Sequence, residues 1–328
     1  MKLQCRYPFA PLLAAALALG AILPLSARAQ NYPHKPVRFI IPFPPGGPTD
    51  ILGRVVAQRL SEAWSVQVVA DNRPGAGGNI GTEQCAKSPP DGYTLCMLSI
   101  AQTISPSIYA RLGFEPNRDF AHVTLLATLP SLLLVHPSLP AKNVKELIAL
   151  AKARPGALNY ASGGSGTSSQ MLMELLKLHG GINIVHVPYK GTGPALIDQI
   201  SGLIETAFST VIAALPYAQS GKLRALAMST RERFPPLPNL PTIDESGLKG
   251  FDGGSWQGVI MPAGTPRDMV IKANADLVKM LKSPDTKEKI LAMGGITLGN
   301  SPDEFAAFVR VETDKWAKVA KAAGLRGE

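Results

Sequence analysis

Cysteine is scarce in this sequence: three among 328 residues, one of them Cys5 near the start. That excludes a small disulfide-stapled module, and Cys85 and Cys96 lack the paired spacing of a zinc site. Charge is scarce as well. Asp, Glu, Lys and Arg make up 17 % of the chain, against about 25 % in an average protein, which excludes a disordered polyelectrolyte and a long charged coiled coil. No basic run is interleaved with aromatics, so a nucleic-acid partner is not expected. The five histidines, at 34, 122, 136, 179 and 186, include no i, i+4 pair, and no metal site is expected from them. Beyond the N-terminus the longest apolar stretch, Val123 to Val135, has 13 residues and a proline, short of the roughly 20 that span a membrane.

Nucleotide and catalytic motifs are missing too. In GAGGNIG, Ile80 stands where G-x-G-x-x-G needs its third glycine, and in KGTGPAL Leu196 does. Gly163-Gly164-Ser165-Gly166 begins like a serine-hydrolase elbow, but Thr167 occupies the fifth position. No cofactor is expected. An exported enzyme acting on a carboxylate is the competing class; it needs a general base or nucleophile, and only Asp50, Lys190 and Glu205 offer themselves.

What is present begins with a leader. Residues 1–29 carry Lys2, Arg6 and Arg28, no acid, an apolar run from Phe9 to Leu25 and then Ala27-Arg28-Ala29. This is the order of a secretory signal peptide cleaved after Ala29. Its removal lowers the formal net charge from +9 to +6, a mild, scattered excess that favours small anions. The mature protein is expected to be soluble and exported.

The whole chain has 45 % hydrophobic residues, and the mature part has length enough for two domains at about 100 to 200 residues each. Its pattern repeats strand, glycine turn, helix. VRFIIP runs into PFPPGGPTD and DILGRVVAQRLSEAW; LNYAS into GGSGTSS and SQMLMELLKLHGG; INIVHVPY into KGTGPALIDQISG. Such alternation predicts an α/β fold with mainly parallel sheets. Ligands of these sheets sit at the carboxyl ends of strands, where the glycine turns fall. We therefore expect two lobes facing a cleft: residues 30–129 with 231–328 as lobe 1, and 130–230 as lobe 2. Cys85, near a helix end, and Cys96, within the next strand, are expected beyond disulfide reach and hence as free thiols.

A glycine turn that opens a helix presents unpaired N–H groups and the positive end of the helix dipole, an anion site without a charged side chain. Two turns fit, with Ser162, Ser165, Thr167 and Ser168 adding hydroxyls to the second; Thr49, Asp50 and Ser168 can equally be helix caps. Tyr189, Ser209 and Thr210 end strands and are candidates for the cleft wall; Lys190 is a candidate cation. Ser255 and Trp256 are candidates for the rim, and His186, in an apolar strand, reads as a core histidine.

Six blocks in order, from YPHKPVRFIIPFPPGGPTDILGRVVAQRL through VVADNRPGAGGNIGTEQCAKSPPDGYTL, LNYASGGSGTSSQM, VHVPYKGTGPALIDQISG and GKLRALAMSTRERFPPLPNLPTIDESGL to SWQGVIMPAGTP, resemble the Bug family of periplasmic substrate-binding proteins of tripartite tricarboxylate transporters. The resemblance implies a two-lobed type II periplasmic binding fold that closes on a small carboxylate and delivers it to a membrane permease, or, in an orphan receptor, to a two-component sensor kinase. It also implies that the carboxylate meets Pro45, Gly46, Gly47, Thr49 and Asp50 on one side. On the other it implies Ser162, Gly164, Ser165, Gly166 and Thr167. Glu205-Thr206 stands where an aspartate is common in the family and Ser209-Thr210 where Asn or Asp is frequent, which argues against transferring an amino-acid ligand.

Overall fold

A computed structural model of the chain describes residues 32–46, 48–189 and 191–325. The leader expected over residues 1–29, together with Gly47 and Lys190, lies outside the described residues.

Along the chain, β1 (Val37–Ile41) leads into α1 (Pro48–Trp64), β2 (Val68–Asn72), a short turn of 3-10 helix at Ala76–Gly78, α2 (Asn79–Ala86), β3 (Thr94–Ser99), α3 (Ile100–Ile108) and β4 (Phe120–Leu129). The middle of the chain contributes β5 (Ser131–Val135), α4 (Val144–Ala153), β6 (Asn159–Ser162), α5 (Ser168–Gly180), β7 (Val185–Pro188), α6 (Thr192–Ile200), β8 (Thr206–Thr210), α7 (Val211–Gln219) and β9 (Arg224–Met228). It closes with β10 (Ser255–Pro262), α8 (Arg267–Lys282), α9 (Pro284–Ala292), β11 (Ile296–Thr297) and α10 (Pro302–Ala322).

Two sheets result, ordered β11-β4-β10-β3-β1-β2 and β7-β6-β8-β5-β9. Both are mixed, which corrects the expectation of mainly parallel sheets. The strand-helix-strand units do pair in parallel, β1 with β2 and β3, and β6 with β7 and β8. The strands that carry the chain from one sheet to the other pair antiparallel instead: β10 with β3 and β4, and β5 with β8 and β9. The reason is connectivity. β4 passes into β5 through Pro130 alone, with no crossover helix to bring the chain back in the same direction. The two crossing segments touch, because the Ser131 N–H donates to Ser229 Oγ at 3.0 Å and the Ser229 N–H to the Ser131 carbonyl at 2.9 Å.

Apolar spacing sets the packing. Val37, Phe39 and Ile41 alternate on β1 and face Leu52, Val56 and Leu60 of α1, while Ile40 joins the core on the other side of the sheet. At Gly53 the helix lies so close that an added Cβ would meet Ile41 Cδ1 at 2.8 Å. The last helix, α10, starts with a capping box, Ser301 and Glu304, and packs against α3, β4 and also α5 of the second lobe. Its buried Glu312 accepts hydrogen bonds from the indole N–H groups of Trp256 at 3.0 Å and Trp316 at 2.8 Å.

Cys85 and Cys96 form a disulfide, with Cα atoms 6.3 Å apart. The expectation of free thiols is thus overturned. A helix packed on a sheet keeps its axis about 10 Å away, but Cys85 is on the side of α2 turned toward the sheet and both residues are buried in the same core. The seven-residue return from α2 to β3 folds one over the other.

Candidate functional site

The carboxyl ends of β1 and β3 in one lobe and of β6 and β8 in the other border a cleft of about 500 Å³. Five helices begin on its wall: α1 at Pro48 and Thr49, α3 at Ile100, α5 at Ser168, α6 at Thr192 and α7 directly after Thr210. Each first turn carries N–H groups without intrahelical partners and about half a positive charge. Serine and threonine hydroxyls supply most of the polar side chains between them. No Asp, Glu, Lys, Arg or His is among the described residues lining the cleft. The arrangement can therefore hold an anion by dipoles and hydrogen bonds, and the described residues bring no charged base to its lining.

The first turn is shaped from behind. Gly46 has φ +85°, a left-handed conformation that glycine adopts at little cost. Its N–H donates to Asp50 Oδ2 at 2.9 Å, while Arg54 Nε and Asn72 Nδ2 reach the same carboxylate at 3.0 and 2.8 Å. Asn72 Nδ2 also donates to the Phe43 carbonyl at 3.0 Å. Burial pushes the Asp50 carboxyl up, but the bonds from Arg54, Asn72 and Gly46 outweigh it and hold it below the usual carboxylate range. Asp50 is thus fully engaged and turned away from the cleft. Of the residues expected here, Thr49 lines the cleft; Pro45, Gly46 and Asp50 do not.

The second turn is shaped by uncharged groups. Gly164, at φ +120°, donates its N–H to Ser162 Oγ at 3.1 Å, and Ser162 Oγ lies 2.6 Å from His186 Nε2. The Gly163 N–H donates to Ser169 Oγ at 3.0 Å and the Gly166 N–H to Gln170 Oε1 at 2.7 Å. His186 stacks on Tyr160 with ring centroids 4.7 Å apart. Burial pushes its imidazole below the ordinary range, Glu174 pulls it partly back and Lys177 lowers it further. Gly164, Ser165 and Thr167 line the cleft, whereas Ser162 and Gly166 lie behind it.

Ser209 and Thr210 line the cleft as expected, and so does Ser255; Trp256 is core. Tyr189 does not line it. Its hydroxyl donates to Asp198 at 2.7 Å, and burial together with that bond pushes its pKa up to about 12. Glu205 sits at the opposite end of β8, where its carboxylate accepts the Asn159 N–H at 2.9 Å. Sequence reasoning missed the start of α3, although Ser99 and Gln102 have capping-box spacing and the Ser99 N–H donates to Gln102 Oε1 at 3.0 Å. It also missed Gly75 to Gly78 as a wall, having compared that run only with a nucleotide fingerprint. Gln257 carried no signal at all.

The model of the family described as "Tripartite tricarboxylate transporter family receptor" matches residues 52–325. The chain belongs to that family. Among its curated relatives the receptor is 35 % identical to Protein BugT of Bordetella pertussis over 309 residues, covering 94 % of each chain. It is 36 % identical over 305 residues to a protein from the tcbD-tcbE intergenic region of Pseudomonas sp., covering 93 % of this chain and 91 % of the other. Among solved structures, R. palustris Rpa4515 with adipate superposes at a TM-score of 0.81 and 37 % identity, covering 90 % of the receptor and 99 % of that protein. MatC of Rhodopseudomonas palustris with bound malate gives 0.76 and 30 %, over 88 % and 99 %. The fold is therefore the two-lobed periplasmic solute-binding fold, and the receptor's role is solute binding. None of its described helices is long and apolar enough to cross a membrane.

Proposed function

We propose that the chain is exported with loss of residues 1–29 and works in the periplasm as a receptor that captures a small organic carboxylate and hands it to a tripartite tricarboxylate-type membrane permease. It acts as a monomer and leaves its ligand chemically unchanged. One observation carries this reading: five helix N-termini converge on a cleft whose described lining holds hydroxyls and backbone but no charged side chain. Of the side-chain bases weighed for an enzyme, Asp50 is saturated by three donors and Glu205 lies at the far end of its strand. The adipate and malate in the related structures are acids of the size the cleft would take.

In this reading the anion sits between the turn at Thr49 and the turn at Gly164, Ser165 and Thr167, with Ser209 and Thr210 beside it. Pro45, Gly46, Asp50, Ser162, Gly166 and Tyr189 support it from behind. Lobe 1, residues 30–129 and 231–328, and lobe 2, residues 130–230, hinge at the paired crossings near Ser131 and Ser229. An anion touching both turns favours the closed arrangement, because only there are both within reach. A thermal-shift screen of the mature protein against organic acids tests the proposal. A ligand at 100 times its Kd adds about 2.7 kcal/mol of stability, and absence of a shift across mono- and dicarboxylates would count against it.

A further inference from the structure

One aromatic residue on the cleft wall has a hydroxyl with nothing to hold. Tyr109 follows the last turn of α3, fixed there by its N–H to the Ser105 carbonyl at 3.0 Å, and it is half-buried on the cleft lining. Its hydroxyl bonds to no described residue, and the oxygen is not buried. Those of Tyr32, Tyr93, Tyr160 and Tyr189 all find a partner. The glycine wall shows where the free one is: a side chain on Gly77, a lining residue at φ +65°, would set its Cβ 3.5 Å from Tyr109 Oη. The hydroxyl of a tyrosine is the polar handle of an apolar ring and usually has a partner. The partner open to a receptor is its ligand.

Tyr109 also stands where the lobes come together. Its neighbour Ile108 belongs to lobe 1, yet Ile108 Cδ1 lies 2.6 Å from the position that a Cβ on Gly166 would take in the lobe 2 turn. That turn is short of donors. The N–H groups of Gly163, Gly164 and Gly166 are committed to Ser169, Ser162 and Gln170, which leaves the Ser165 N–H and the first turn of α5 to face a ligand. An ionised carboxylate has about four acceptor sites, so the turn alone does not fill them. A phenol hydroxyl supplies a further donor without bringing a charge.

We infer that Tyr109 is a ligand-binding residue: from lobe 1 its hydroxyl donates to the carboxylate seated at the lobe 2 turn, and so ties the two lobes together across the ligand. This rests on the reading of the cleft as a carboxylate receptor and adds a residue which that reading does not use.

The test is isothermal calorimetry of the mature protein and of Tyr109→Phe with succinate, malate, adipate, butanoate and hexanoate, together with urea unfolding of both proteins without ligand. Phenylalanine keeps the ring and removes only the hydroxyl. The acids that bind wild type should bind the variant about tenfold or more weakly, because the lost bond is to a charged acceptor, while the urea midpoint stays where it was. A smaller loss of affinity overturns the inference. So does a lowered midpoint, which would make the hydroxyl part of the fold and not of the ligand site. Failure of all five acids to bind wild type would instead defeat the carboxylate-receptor reading, and the inference with it.

Discussion

The two lobes present the same kind of turn to the same cleft and hold it by different chemistry. In lobe 1 one carboxylate, Asp50, gathers the Gly46 N–H, Arg54 and Asn72, and a disulfide fastens the neighbouring helix α2 to β3. In lobe 2 the turn is held by hydroxyls, an amide and an imidazole: Ser162, Ser169, Gln170 and His186. A dipole display needs only that N–H groups point outward, so the support behind it is free to differ. What differs is the response to perturbation. A charge-assisted or covalent hold survives mild acid, whereas a relay through imidazole depends on which proton it carries.

The sharpest break of the comparison is Gly164→Val. Valine at φ +120° is strained, and its Cβ would lie 3.1 Å from the Tyr189 carbonyl. Stability should fall by about 3 kcal/mol and affinity for a bound acid more than about a hundredfold. Calorimetry and urea unfolding measure both, and an unchanged affinity would mean that the lobe 2 turn does not touch the ligand. Next comes the covalent hold: reducing Cys85–Cys96, which are eleven residues apart, should cost about 2 to 3 kcal/mol by the chain-entropy estimate. Urea titrations with and without reductant measure it, and alkylation of denatured, unreduced protein should label neither cysteine.

Asp50→Ala should cost about 2 kcal/mol, chiefly by taking the acceptor from the Gly46 N–H and from one of the two Asn72 Nδ2 hydrogens, the other staying on the Phe43 carbonyl, since Arg54 can turn to water. Asp50→Asn should cost less. A silent Asp50→Ala would break the idea that lobe 1 relies on a charge. His186→Phe keeps the stack on Tyr160 but removes the partner of Ser162, and should weaken ligand binding about fivefold, near 1 kcal/mol.

Acid sharpens the contrast further. The folded His186 is held below the ordinary imidazole value of 6.5, so the unfolded chain takes up a proton that the folded turn refuses, and the stability this residue contributes is lost as pH falls below about 6.5. Asp50 is held below 3.8, so its contribution persists above that and goes only as pH falls through its lowered folded value. Hydrogen-exchange protection factors between pH 7 and pH 5 should therefore drop at Gly163, Gly164 and Gly166 and hold at Gly46. Equal loss in both turns would remove the distinction.

Much of the fold was legible because its signals are local. Alternating apolar residues in VRFII, helical spacing after PFPPGGPTD and the capping box at Ser301 each lie within one element. The antiparallel strands were not legible, because direction depends on how the chain crosses between sheets through Pro130. Half of the site was legible for a similar reason. Glycine turns announce where backbone approaches a ligand, so Thr49, Gly164, Ser165 and Thr167 could be named. Whether a side chain points into the cleft or back into the turn depends on partners far along the chain, such as Asn72 for Asp50 and Asp198 for Tyr189. Gln257 belongs to the cleft only because β10 returns beside β3 more than 150 residues later.

The junction of Trp256 and Trp316 at Glu312 gives the receptor an optical gauge of its own state. The third tryptophan, Trp64, is tied to Asp276 within lobe 1, with its indole N–H 2.6 Å from the carboxylate. Trp316, by contrast, packs where Gly253 of the crossing segment meets Leu172 of lobe 2. Any rearrangement of the crossings changes the field and the quenchers around that indole while Trp64 supplies a steady background. Closure at the proposed hinge should then change intrinsic emission over the Trp64 background, and a fluorescence titration reads it without a dye, a tag or an added mutation.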